Sequence, residues 1–100
     1  MSLETVLAED RRLVILRCLS EVPGFHLNEV VLRTTLNHFG HNAGRDLVRA
    51  DIQYLVEHAL ARIEKLQPAG GELWLVYLTG GGDEVAKGRP HVGIARLGPA

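Results

Sequence analysis

Apolar residues return every three or four positions from the start of the chain, at Leu3, Val6, Leu7, Leu13, Val14 and Leu16. This spacing predicts an amphipathic helix over about Leu3–Glu21, with Ser2 as its N-cap and Glu4 near the positive end of its dipole. Ile15 widens the stripe, so the helix is expected to bury more than one face, and Pro23-Gly24 ends it. Phe25-His26-Leu27 is too short for an independent strand but can pair briefly with the edge of a later hairpin. Asn28 caps a second helix with Glu29 in its first turn and Val30, Val31, Leu32, Leu36 and Phe39 as its expected buried side; Gly40 stops it. After the turn His41-Asn42-Ala43-Gly44, a third helix is expected from about Gly44 to His58. It places Leu47, Val48, Ile52, Leu55 and Val56 on one face and Arg45, Arg49 and Gln53 on the other.

Beyond Leu60 the period changes from 3.6 to 2. Arg62–Leu66 reads as a strand, Gln67–Gly71 as a turn, and Leu73–Leu78, rich in β-branched and aromatic residues, as the return strand. Thr79 caps a last short helical turn through Asp83–Lys87, which the triplet Gly80-Gly81-Gly82 weakens. The order predicts a mainly α domain with a small β-hairpin, the winged helix-turn-helix arrangement, over residues 1–87, followed by an extended basic tail, 88–100. A small α+β domain with the same elements packed differently is the rival.

Three stretches resemble small winged-helix, ArsR-like proteins of Mu-like phages and prophages. They are Leu7-Ala8-Glu9-Asp10-Arg11-Arg12-Leu13-Val14-Ile15-Leu16, then Pro23-Gly24-Phe25-His26-Leu27-Asn28-Glu29, and Gly40-His41 followed by Gly44-Arg45-Asp46-Leu47-Val48-Arg49-Ala50-Asp51-Ile52. The resemblance covers about residues 5–88 and implies a winged-helix fold in a phage or prophage setting. The chain departs from the pattern twice. Ala59 stands just after the third helix, where winged-helix proteins often carry Gly, so the turn into the hairpin lacks a residue that favours a left-handed backbone. The paired cysteines of metal-sensing ArsR repressors are also missing.

Composition narrows the partners. The net charge of −1 over 100 residues argues against non-specific polycation behaviour. Charge is uneven, because Lys87, Arg89 and Arg96 stand in a tail without acids while the rest is mildly acidic. Cys18 is the single cysteine and sits in an apolar helical stretch, so a buried, inert thiol is expected. Met1–Asp10 lacks the basic start of a secretion signal, and no apolar run is long enough to span a bilayer; a cytoplasmic protein is expected.

The candidate chemistry is DNA recognition. Arg reads guanine edges, Asn and Gln read adenine, and the start of the second helix of a helix-turn-helix enters the major groove. Asn42, Arg45, Arg49 and Gln53 are the candidate readers, Arg62 and Lys65 on the hairpin and Arg89 in the tail the candidate phosphate contacts. Against this, Asp46, Asp51 and Glu57 on the same helix repel phosphate and can pair with Arg45 or Arg49. His38 and His41 straddle a helix end, and the remaining histidines are scattered, so no metal site is expected, nor a cofactor or an enzyme signature. Two functions remain open: a DNA-binding phage regulator, or a winged-helix protein-interaction module that has lost DNA contact. In either case the broad apolar surface of the first helix predicts a homodimer through that helix.

Overall fold

The chain opens on a capped helix: Ser2 Oγ accepts from the backbone N–H of Thr5, and α1 runs Leu3–Glu21. The computed structural model describes residues 2–96. A single 3-10 turn, Pro23–Phe25, leads into the short strand β1, His26–Asn28. Asn28 Oδ1 accepts from the N–H groups of Val30 and Val31 and starts α2, Glu29–His38. The remaining elements are α3, Arg45–Glu57; β2, Ala61–Leu66; β3, Leu73–Leu78; and α4, Gly80–Ala86, capped by Thr79 Oγ1. Among the described residues this is an α+β domain of four α-helices and one antiparallel sheet of order β1-β3-β2. The short piece after α1 does pair with the hairpin: His26, Leu27 and Asn28 oppose Tyr77, Val76 and Leu75.

The core lies between the inner face of the sheet and α1, α2 and α3, with Val85 and Ala86 of α4 and Ile94 added from the C-terminal side. Leu16, Leu36, Ile52, Leu55 and Val76, each expected inside from its periodicity, are all fully buried. Leu13 and Ile15 widen the buried surface of α1 as expected, and Leu19 is buried with them. Val30, Val31, Phe39 and Leu47 depart from the expectation and are exposed. On α2 the inward positions are Glu29, Leu32 and Leu36. Because Glu29 points inward, the two residues after it are carried 100° and 200° round the helix toward solvent.

Two further departures concern helix ends. α2 and α3 close with the same pair of bonds: His41 N–H to Leu36 C=O with Gly40 N–H to Asn37 C=O, and Leu60 N–H to Leu55 C=O with Ala59 N–H to Val56 C=O. Both are Schellman caps, which need a left-handed residue after the helix. Gly40 supplies it at φ 92°, and Ala59 supplies it at φ 60° despite its Cβ. Within the glycine triplet only Gly82 has a packing reason, because a Cβ there would lie 2.0 Å from the carbonyl oxygen of Leu60, whereas Gly80 and Gly81 have room for one.

The segment from Gly88 to Arg96, expected as an extended tail, folds back on α1 and α3. Ala95 N–H donates to Glu9 C=O, Arg12 Nη1 to Gly93 C=O, and the Tyr54 hydroxyl to Val92 C=O, while Ile94 is buried. Residues 97–100, the rest of that expected tail, lie outside the described residues.

Candidate interaction surface

The proposed recognition helix has its charge arranged by its neighbours. Val48, Asp51, Ile52 and Leu55 form the buried face of α3. Asp46, Ala50, Gln53 and Glu57, spaced one turn apart, form its solvent face, and all four are exposed. That outermost ridge carries two carboxylates and no cation.

Arg49 is drawn sideways into a clasp. Its Nε and Nη2 donate to the two carboxylate oxygens of Glu29, each at 2.6 Å, and Nη2 also donates to Glu72 C=O at 3.2 Å. The guanidinium lies 4.5 Å from the ring centre of Trp74. Glu29 Oε2 accepts in addition from the backbone N–H of Trp74 at 2.7 Å. The position of Glu29 explains this bond. Asn28 opposes Leu75 in the sheet, so the next rung would join residues 29 and 74. The backbone turns into α2 at that point, and the Glu29 carboxylate takes the donor that the strand would have satisfied. The hydrogen bonds from Arg49, and after them the one from Trp74, hold the Glu29 carboxyl below its ordinary value despite its burial. Trp74 Nε1 donates to Glu72 Oε1 and lowers that carboxyl too.

The other sequence candidates divide among several surfaces. Arg45 is exposed and reaches the same turn, donating to Glu72 C=O at 3.3 Å. Lys65 lies 5.2 Å from the ring centre of Trp74, so Arg45, Arg49 and Lys65 gather on one side, between α3 and the hairpin. Arg62 is on the opposite face of the sheet, over the ring of Tyr77 at 4.1 Å. Asn42 is exposed in the α2–α3 turn beside Leu7 and Leu47. Gln53 points outward from α3. Arg89 pairs with Glu84 at 3.1 Å after α4.

The acids of α3 also differ from the expected pairing. Asp51 is not a surface partner of Arg45 or Arg49; it is buried against α1, 2.5 Å from Arg11 Nε and 3.2 Å from Arg12 Nε. Arg12 in turn covers the Tyr54 ring at 3.8 Å. His41 is buried, with Nε2 2.7 Å from Asp10 Oδ2, and joins the end of α2 to α1. The signal for the first of these was present, since Asp51 interrupts the apolar face between Val48 and Ile52. Cys18 is half-buried; burial, then the charge of Glu21, pushes its thiol up. Among the described residues no three His, Cys, Asp or Glu side chains converge as a metal site. No helix is long and apolar enough to cross a membrane.

Among the clefts that the described residues form, two lie beside the candidate residues. One is a groove of about 560 Å³ between the first turns of α1 and the α2–α3 turn. Leu7 and Leu47 line it at 39% and 40% exposure, and Leu3 and Val6, on the same first turns of α1, are exposed at 72% and 42%. The other is a cleft of about 330 Å³ between α2, the start of α3 and the β2–β3 turn.

Over 95 residues, 94% of its own length and 94% of the relative's, the chain is 42% identical to the uncharacterized protein gp26 of Escherichia phage Mu. The chain belongs to the family of phage Mu gp26. An uncharacterized protein of Haemophilus influenzae is 42% identical over 67 residues, 67% of this chain and 65% of that one. No family model matches the chain. No solved structure matches it. The phage connection expected from the sequence therefore rests on the Mu relative, and neither relative's name carries a regulator or winged-helix description.

Proposed function

We propose that this domain is a winged helix that works by protein contact, as a homodimer through its first helix, rather than by reading bases with its third. The element order, the β1-β3-β2 sheet and the short α2–α3 turn support the winged-helix assignment. The observation that carries the functional reading is the solvent face of α3. Asp46, Ala50, Gln53 and Glu57 would meet a phosphate backbone with two negative charges, while Arg49 is committed to Glu29. The start of α1 supports the dimer, because Leu3, Val6 and Leu7 are at helical spacing and remain exposed beside the groove that Leu7 and Leu47 line. Sedimentation at micromolar concentration tests it: the expected species has twice the 11.0 kDa chain mass, and Leu3→Glu with Leu7→Glu returns it to one. A native monomer refutes the dimer.

A second reading, a cytoplasmic DNA-binding regulator of phage transcription, draws on the free cations beside the hairpin, Arg45 and Lys65, with Arg62 and Arg89 farther away. Gel-shift titration against phage genomic fragments at two salt concentrations separates the readings. Protein contact predicts no shift beyond that of an acidic control protein. Salt-dependent retardation lost in Arg45→Ala establishes DNA binding instead.

A further inference from the structure

The cleft beside the hairpin has a composition that the dimer does not use. Val30 and Arg33 contribute from α2, Arg45 and Val48 from α3, and Pro68 and Leu73 from the turn and the start of β3. We infer that this cleft binds an acidic, aliphatic segment of a partner protein, with Arg33 and Arg45 gripping its carboxylate. The inference rests on the protein-contact reading and names the class of ligand.

Charge accounting comes first. Two carboxylates line the cleft, and both are engaged within the domain: Glu29 by Arg49 and the Trp74 N–H, Glu72 by Trp74 Nε1. The guanidinium of Arg33 has no hydrogen-bond or ion-pair partner among the described residues, and that of Arg45 has only a long bond to a carbonyl. A guanidinium presents paired donors matched to a carboxylate, so two without carboxylate partners at one cleft favour an anionic ligand. The walls between them are aliphatic. Val30 is 47% exposed, Val48 closes the floor, and Pro68 and Leu73 form the far side. About 330 Å³ is the lower end of the range for ligand sites and suits one or two side chains of an extended peptide. A DNA duplex fits these features less well, since its phosphates lie on a convex surface and would bring Asp46 against them.

The test is a selection of short random peptides on yeast, with the folded full-length protein as bait. Enriched sequences are expected to join Asp or Glu to Leu, Ile or Val. A synthetic copy should bind at least about tenfold more weakly to Arg33→Glu and to Arg45→Glu, since each loses a charged hydrogen bond and sets a carboxylate against that of the peptide. It should bind Arg89→Glu as it binds the native chain. Binding should also shift the fluorescence of Trp74, the single tryptophan, beside the cleft. Thermal melts check that each variant folds. Enrichment without acids, or affinity undiminished in the Arg33→Glu, Arg45→Glu double variant, overturns the cleft proposal and leaves the dimer standing. If a random-sequence DNA duplex binds and is lost in that double variant, the cleft proposal and the protein-contact reading both fall.

Discussion

Replacing Arg49 by Ala separates two accounts of the same residue. If Arg49 reads DNA, its removal costs affinity and leaves stability alone. If it holds the clasp, its removal leaves the Glu29 carboxylate, 5% exposed, with one backbone donor and only the weaker, unbonded charge of Arg45. Breaking a buried ion pair by deleting one partner costs about 3–5 kcal/mol. Arg49 keeps 19% of its side chain open to water, so the low end, about 3 kcal/mol, is expected. In a domain of this size that lowers Tm by on the order of 15 °C. The pH dependence supplies the sign. Glu29 has a lowered pKa in the folded state, so the clasp's contribution is complete above the ordinary carboxyl range near ~4.3 and is lost as pH falls through the folded value. In Arg49→Ala the same carboxyl prefers to be protonated, so the deficit relative to the native chain should shrink on going from pH 7 to pH 4. Glu29→Gln should lose less than Arg49→Ala at pH 7, because the charge it leaves, Arg49, keeps some water and the Glu72 carboxylate 3.8 Å away. Urea denaturation of the single and double variants at both pH values measures each term. A loss below about 1 kcal/mol for Arg49→Ala, independent of pH, would refute the clasp as described.

The remaining expectations concern the frame around these surfaces. Ala59→Gly should stabilise by about 0.5–1 kcal/mol, relief of a left-handed Cβ exceeding the added freedom of the unfolded chain; a lower denaturant midpoint contradicts it. Gly93→Ala should cost about 1–3 kcal/mol and expose the C-terminal segment to protease, because its Cβ would lie 1.9 Å from the Tyr54 hydroxyl oxygen at φ 75°; unchanged protection would mean that the segment is not docked there. Leu55→Ala should cost about 2–5 kcal/mol by denaturant titration, since the side chain is fully buried in α3; less than about 1 kcal/mol would misplace that helix.

The helices and the hairpin were legible because each buries one face, and a buried face writes its period into the sequence. Leu16, Leu36, Ile52, Leu55 and Val76 follow from that rule alone. The charged residues do not, because their roles depend on partners from other elements. Arg45 and Arg49 share residue type and helical face in the sequence, yet Glu29, twenty positions before Arg49, takes one and leaves the other. Asp51 needed Arg11 and Arg12, some forty positions away, before an acid could sit in an apolar face. The tail read as extended because most of its anchors are main-chain groups, which no side-chain pattern records, and the one buried apolar residue among them, Ile94, is isolated and shows no period.

The central strand of the sheet is the last to be synthesised, and this orders events during folding. Leu27 finds its partner Val76 only 49 positions later, and β2 likewise has no neighbour until β3 exists. A nascent chain ending before Leu73 holds two orphan strands, and Glu29 still lacks the Trp74 donor. Closing so long a loop must precede the three β1–β3 rungs, which slows that pairing relative to the local helices and to the β2–β3 hairpin. α1, α2 and α3 therefore leave the ribosome before any strand can pair, and premature termination inside the hairpin yields a chain with unpaired edges open to aggregation.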